Sequence, residues 1–310
     1  MLDVNRLRVL CEVARLGSFS AAAGALSYTP SAISQQIRTL EREVGVGLVE
    51  RGARGATLTD AGRLLARHGE QILGRLVAAE DELHAMLGLR TGRLRLGAFA
   101  TAGAALVPRA ISDFRREHPA VEVQLIEVDP EEAISALRAY ELDLALVYRF
   151  PLEPAPDLAG LDYLPLVDDR LNVALPHDHR LAKRKRLRLD ELADEAWVQG
   201  VHRGATAGVL PAACRAAGFE PRIVFRSDDH MAVQGSVAAG LGVAVVPTLT
   251  LSTARRDIVI LPLEVEGDLL RREVGLALRT YSLPPPAVAA MVDVLREVSA
   301  GFGPRSAGRN

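Results

Sequence analysis

Thr29-Pro30-Ser31-Ala32-Ile33-Ser34-Gln35-Gln36-Ile37-Arg38-Thr39-Leu40-Glu41-Arg42-Glu43-Val44-Gly45 is the stretch whose pattern organises the whole chain. Thr29 can cap a helix, Pro30 suits its first turn, and Gly45 can close it. At 100° per residue, Ile33, Ile37, Leu40 and Val44 fall within about 60° of one another. Ser31, Ser34, Gln35, Arg38 and Arg42 fall on the opposite side within about 100°. One stripe packs inward. The other suits a major groove, where Arg grips guanine, Gln grips adenine, and Ser reaches phosphate or a base edge. No carboxylate lies inside that arc; Glu41 and Glu43 sit to its sides. Taken alone, the pattern needs no more than an amphipathic helix with a solvated face.

The flanking sequence adds the context. Leu7, Leu10, Cys11 and Ala14 recur with helical spacing, Gly17 can end that helix, and Ser18 can cap a small Ala-rich helix over 19–26. Ser27-Tyr28 then breaks the chain before Thr29, the pattern of a helix-turn-helix whose second member lies in the groove. Residues 46–51 and 56–58 predict a hairpin around Gly52-Ala53-Arg54-Gly55, with Arg51 and Arg54 placed to touch the DNA backbone or minor groove as a wing. Thr59 caps a long helix over 60–89, about 45 Å at 1.5 Å per residue. Along it, Ile72, Leu76, Ala79, Leu83 and Met86 form a heptad seam that suits a partner helix.

From Arg93 the pattern changes to alternating strands and helices: strand 93–98, helix 104–118, strand 121–127, helix 130–140 and strand 142–147. After Pro151, Pro154 and Pro156 a second set follows: strands 171–175, 197–199, 223–226 and 243–246, with helices 205–217 and 229–239. Strand 272–278 and helix 286–298 resemble a return to the first set. This alternation argues a parallel sheet covered by helices. Residues 301–310 read as a flexible, frayed tail.

Composition sets limits. The 310 residues predict two or three domains, and 49% hydrophobic with 25% charged residues is ordinary for a soluble globular chain. Aromatics are 4%, so aliphatic side chains and Ala must fill the core. A net charge of −2 excludes a globally basic coat. Residues 1–58 carry seven Arg against five acids, which argues against nonspecific architectural DNA binding. Two cysteines, Cys11 and Cys214, make no disulfide framework, and the chain reads as cytoplasmic. No apolar run reaches the 18 or so residues of a membrane span, and the N-terminus lacks a signal peptide's pattern.

Other chemistries find little support. Neither cysteine has a resolving partner nearby, so both read as structural thiols. His177 and His179 alternate after Pro176, but no Cys or further His lies nearby, and they read as structural or solvated rather than metal-binding. Gly240-x-Gly242 is too short for a dinucleotide fingerprint, and no Gly-x-Ser-x-Gly elbow is present. The basic run at residues 182–186 reads as a solvated loop. No catalytic constellation emerges, so an enzyme is not expected, nor a metal or cofactor.

Leu7-Arg8-Val9-Leu10, Gly17-Ser18-Phe19-Ser20-Ala21-Ala22-Ala23, Thr29 to Ile37, Leu40-Glu41, Gly45 and Arg51 to Gly62 together closely resemble the LysR-type transcriptional regulators. Leu164-Pro165-Leu166-Val167 and Gly240 to Pro247 look like signatures of the same family. The resemblance implies an all-α winged helix-turn-helix N-terminal domain with a long linker helix, followed by an α/β two-lobed periplasmic-binding-protein-like domain. The implied divisions are 1–58 for DNA binding, 59–90 for the dimerising linker, and 91–300 for effector binding. Within the last, lobe one is about 92–162 and 268–300, and lobe two about 163–267. The implied partners are operator DNA, a small-molecule effector, a second copy or a dimer of dimers and, for an activator, RNA polymerase.

By this resemblance Thr29, Pro30, Ser31, Ser34, Gln35 and Arg38 take contact positions on DNA. The family often has Ser-Gln-Pro where this chain has Thr29-Pro30-Ser31, which alters base reading at the first two positions. Val49 stands where a Phe is common, a change of packing more than of contact. In the effector half the resemblance points to the loop at 99–103, with Thr101 and Ala102. Free N–H groups of the following helix there would suit an anion. Asp129 reads first as a helix cap and second as a ligand contact. Arg149 reads as an exposed side chain or as the partner of an effector carboxylate. Gln199 and His202 belong to a ligand-facing loop. The rival class is a ligand-binding module or enzyme whose N-terminal helices serve only oligomerisation.

Overall fold

The structure is a computed structural model that describes residues 2–52, 55–86, 92–151, 158–200, 208–281 and 284–302. Arg54, His202, the long helix beyond residue 86, Ala205 to Ala207 and the tail from residue 303 lie outside the described residues, and only the backbone of Arg51 is described. The chain forms two compact units, residues 1–92 with 135–143 and residues 93–134 with 144–310.

In the first unit, α1 (Val4–Leu16), α2 (Phe19–Ala25) and α3 (Pro30–Val44) precede a hairpin of β1 (Val49–Gly52) and β2 (Gly55–Leu58). Helix α4 (Asp60–Met86) follows. Each boundary has a local cause. The Asp3 carboxylate accepts from Arg6 N at 3.1 Å to start α1, and Ser18 and Thr29 hydroxyls do the same for α2 and α3. Gly17 at φ 61° and Gly45 at φ 74° take the left-handed conformation that ends a helix. Leu10, Val13, Ala22, Ile33, Ile37 and Leu40 share one core, as the apolar stripe on α3 requires. Full burial of Ile33, Ile37 and Leu40 stabilises by roughly 1.5–3 kcal/mol each.

The hairpin is bolted to the helices rather than hung from them. Glu41 accepts from Leu48 N at 2.8 Å and Val49 N at 3.2 Å, so the end of α3 fixes the start of β1. Ala56 N donates to Gly17 O at 2.9 Å, tying β2 to the end of α1. At Gly62 the backbone of α4 runs so close that a Cβ would lie 2.0 Å from Leu48 O. Only glycine fits that approach.

The second unit contains β3 (Gly92–Ala98, from residue 93), α5 (Ala100–Ala105), α6 (Val107–Glu117), β4 (Val121–Glu127), the start of α7 (Pro130–Arg138, whose residues from 135 count with the first unit) and β5 (Leu144–Arg149). Then come β6 (Leu161–Pro176), β7 (Leu187–Arg188), β8 (Ala196–Gln199), α8 (Val209–Ala216), β9 (Arg222–Arg226), α9 (His230–Ala238) and β10 (Val243–Pro247). Strands β11 (Ile258–Glu264) and β12 (Arg271–Arg279) and helix α10 (Pro286–Ala300) complete it. The sheet runs β4-β3-β5-β12-β6-β10-β8-β9, with β11 and β7 attached through β6.

The sheet is mixed, not purely parallel as the alternation predicted. Strands β3 and β5, β8 and β10, and β8 and β9 pair parallel. Strand β12 is antiparallel to both β5 and β6, and β10 and β11 are antiparallel to β6. Strand β6 is the long element: residues 161–170 pair with β12, and residues 171–176 pair with β10 and β11. It therefore belongs to both lobes, with its first half in the sheet of lobe one. Pro165 hid that half in the sequence; a bulge in β6 itself, where Leu166 is passed over between the partners of Val274 and Gly275, accommodates it. Pro262 hid β11 in the same way. The helix predicted over 104–118 is two, because Pro108 at the start of α6 lacks the N–H that would continue α5.

Candidate nucleic-acid interface and ligand cavity

On α3 the polar arc is outward. Thr29, Pro30, Ser31, Gln35, Arg38 and Arg42 are exposed, and Ser34 is half-buried. Thr29 Oγ1 lies 3.0 Å from Ser31 Oγ and accepts from Ala32 N at 3.2 Å, so its hydroxyl is engaged as the cap. Arg42 donates to Thr39 Oγ1 at 2.9 Å and to Arg38 O at 3.3 Å, which lays it along its own helix. Among the described residues, the Gln35 amide and the Arg38 guanidinium make no hydrogen bond or ion pair and stand ready for an external partner. Ser27, at φ 56°, supplies the left-handed residue that turns the chain between α2 and α3. The β1 backbone at Arg51 pairs with Ala56 in the wing.

In the second unit a cavity of about 690 Å³ opens between the two lobes, within the usual size range of small-molecule sites. Phe99, Thr101, Tyr148 and Phe150 line it from lobe one; Gln199, Leu210, Gln234 and Val245 line it from lobe two. Thr101 is 3% exposed and Gln199 is 5% exposed, both on the wall. Gln199 Oε1 accepts from Arg226 Nη1 at 3.3 Å. Asp129 also lines the cavity; its backbone carbonyl accepts from Ala133 N at 2.8 Å as α7 begins.

Two residues named from sequence are placed elsewhere. Ala102 is fully buried in the lobe-one core, because α5 turns positions 100, 101 and 104 toward the cavity and 102 away. Arg149 alternates with Tyr148 and Phe150, both on the cavity wall, and so faces the other side of the strand. There it pairs with Glu273 at 2.8 Å and lies over the Tyr163 ring.

The residue that sequence reasoning missed is Arg272. It lines the cavity, is 5% exposed, and pairs with Asp169 at 2.7 Å. Its Nη2 also donates to Thr101 Oγ1 at 2.8 Å, and its guanidinium carbon lies 4.8 Å and 5.1 Å from the Tyr148 and Phe99 ring centres. Asp169 in turn accepts from Leu249 N at 3.1 Å. A signal existed: Arg272 shares strand parity with Val274, which is fully buried, so an arginine on the apolar face needed a buried partner.

Other candidate chemistry has structural explanations. His179 Nδ1 accepts from Leu181 N at 3.2 Å, and its Nε2 is 3.2 Å from Glu195. Arg184 and Arg186 of the basic run pair with Glu191 and Glu264. Burial pushes the Cys11 and Cys214 thiols up to about 12. Among the described residues no helix is long and apolar enough to cross a membrane.

Residues 87–300 match the family model of the LysR substrate binding domain, and residues 4–63 match that of the bacterial regulatory helix-turn-helix protein, lysR family. The transcriptional dual regulator GltC of Bacillus subtilis is 30% identical over 276 residues, covering 89% of this chain and 90% of GltC. The probable HTH-type transcriptional regulator LrrA of Synechococcus elongatus is 29% identical over 299 residues, covering 96% and 98%. A full-length OxyR variant from Pseudomonas aeruginosa superposes with a TM-score of 0.73 at 23% identity, covering 96% of this chain and 98% of that one. Full-length CbnR in complex with its target DNA gives 0.68 at 23% identity, covering 96% and 100%. These two structures share the fold: a helix-turn-helix unit followed by an α/β unit.

Proposed function

The chain belongs to the LysR family of bacterial transcriptional regulators, with a DNA-binding helix-turn-helix and an effector-binding domain, and from that premise we propose how its residues carry the work. Helix α3 lies in the major groove, with Gln35 and Arg38 reading base edges and Ser31 and Ser34 reaching phosphates or base edges. Thr29 and Pro30 sit at the groove entrance, and Arg51 and Arg54 hold the DNA backbone from the wing. The observation that carries this reading is the exposed polar arc of α3 directly opposite its buried apolar stripe.

The effector occupies the cavity between the lobes, against Thr101, Asp129 and Gln199, with His202 on the adjoining loop. The protein works in the cytoplasm as a homodimer or a dimer of dimers joined through α4, whose Ile72, Leu76 and Leu83 are exposed at heptad spacing. It acts by binding rather than catalysis. Closure of the lobes on the effector shifts the packing between protomers, and α4 carries that shift to the spacing of the two DNA readers. Where it activates, RNA polymerase is the further partner.

A footprint on the intergenic DNA beside the protein's own gene, at fixed salt with excess nonspecific competitor, tests this. Protection that survives the competitor is the expected result. Sequence-independent protection, or none with or without candidate effectors, would overturn it.

A further inference from the structure

We propose that the cavity takes an organic cation: a primary amine or guanidine carried on an apolar or aromatic body. This rests on the reading of the cavity as the effector site. The charge on its walls is lopsided. Among the described residues lining it, Glu127, Asp129 and Glu132 come from lobe one, and Asp228 and Asp229 from lobe two. The only arginine or lysine among them is Arg272, and its charge is already matched by the buried Asp169. The Arg272 guanidinium is further covered by the Phe99 and Tyr148 rings and held by the Thr101 hydroxyl. A second carboxylate, brought by an anionic ligand, would meet no uncompensated arginine or lysine on the described walls and five acids instead.

Part of the acidity serves the helices. Asp229 caps α9, with its carboxylate accepting from Met231 N at 2.7 Å and Ala232 N at 3.3 Å. Glu132 lies in the first turn of α7. Two helix N-termini bring about half a positive charge each, which offsets roughly one of the five carboxylates. The acids left over come from both lobes. Like charges brought together oppose closure, and a cation placed between them favours it. Glu127, Asp129 and Glu132 make no ion pair among the described residues, so their charge is available to a ligand.

Three further observations define the ligand. No group of three His, Cys, Asp or Glu side chains among the described residues could hold a metal ion, which favours an extended cation over a bare one. Phe150, Leu171, Val198, Leu210 and Leu270 give it an apolar wall to lie against. Gln234, 2% exposed on the same wall, adds a polar point. Its Oε1 accepts from Arg255 N at 2.8 Å, which fixes the amide orientation and leaves the NH2 to donate to an acceptor on the ligand. The anion expected at the loop 99–103 is disfavoured, because α5 has only six residues and the lobe-one wall beside it carries Glu127, Asp129 and Glu132.

The test uses the full chain and pairs of probes matched in body but opposite in charge. These are tyramine with 4-hydroxyphenylacetate, and agmatine with adipate, measured by thermal shift and calorimetry at about 0.1 M salt, where surface charges more than about 10 Å apart are screened. The amine of at least one pair should raise the melting temperature and bind at least about tenfold tighter than its carboxylate partner. Glu132→Gln combined with Asp129→Asn should weaken that preference several-fold, while Glu131→Gln, one position away and off the cavity wall, should retain it. Tighter carboxylate binding, an amine preference undiminished by the double substitution, or no shift with any of the four probes overturns the proposal. Footprints on the same samples separate the two levels: operator protection with a carboxylate preference overturns the ligand class alone, whereas absent protection counts against the regulator reading.

Discussion

Arg272 on β12 and Asp169 on β6 are register partners whose charged groups meet at 2.7 Å, with side chains 6% and 0% exposed. The pair sits where both strands pass from lobe one toward lobe two, and it braces Thr101 on one side and the backbone of Leu249 on the other. Such a pair is held by its hydrogen bonds as much as by its charges, because each partner alone would be a stranded buried ion.

Removing one partner should therefore be costly. Arg272→Met is expected to destabilise the effector unit by about 3–5 kcal/mol, since it leaves Asp169 buried and uncompensated. Combining Arg272→Met with Asp169→Leu should recover much of that loss. Thermal and urea melts of the three proteins decide it; a single variant as stable as the parent would remove the pair from the account.

Arg38→Ala should weaken specific operator binding by about 1–3 kcal/mol and relax discrimination at one base position. Competition binding against a set of singly mutated operators reads both effects. A uniform loss across all sequences would instead make Arg38 a phosphate contact.

At Gly62 an added methyl would lie 2.0 Å from Leu48 O, and backbone cannot swing aside as a side chain can. Gly62→Ala is expected to cost about 1–3 kcal/mol of stability in the first unit through overpacking and to loosen the wing. Circular-dichroism melts together with operator affinity check it, and full retention of both would contradict the close approach.

Burial raises both thiols from the usual 9.0 to about 12, with nearby Glu70 adding to the effect at Cys11 and Glu220 at Cys214. Between those values the native state keeps the proton where the unfolded chain would lose it. The stability this contributes is fully present below pH 9 and is lost as pH climbs toward about 12. At neutral pH neither thiol should react with Ellman's reagent until the protein is unfolded. Rapid labelling of the native protein would be the contrary result.

Leu76→Glu should dissociate the assembly. Leu76 is 46% exposed on α4, with Ile72 at 40% and Leu83 at 61% continuing the same seam. A charge in a helix–helix seam is expected to lower the mass seen by light scattering to that of a single chain. An unchanged mass would place the protomer contact elsewhere.

The sequence announced the DNA reader because its signals are local. Thr29, Pro30 and Gly45 bracket α3 within one segment, and the opposed arcs can be drawn on a wheel without knowing any distant contact. The wing was legible too, since glycines mark its turn. The cavity was only half legible. Thr101, Asp129 and Gln199 lie at or just past the ends of β3, β4 and β8, where ligand sites are expected. Arg272 lies 171 residues from Thr101 and 103 from Asp169, and a run beginning Arg271-Arg272-Glu273 looks like exposed surface until its partner strand is known. Arg149 and Ala102 failed for the complementary reason: one residue along a strand or helix decides which side a side chain faces.

Arg170 and Arg271 stand opposite each other at the point where β6 leaves the lobe-one sheet and β12 enters it, and Leu171 N donates to Leu270 O at 2.9 Å just beyond. Exit and return thus lie side by side, the arrangement of a cassette spliced into a host. The residues between them could be exchanged for another lobe with adjoining ends, grafting a new chemical sense onto an unchanged DNA reader.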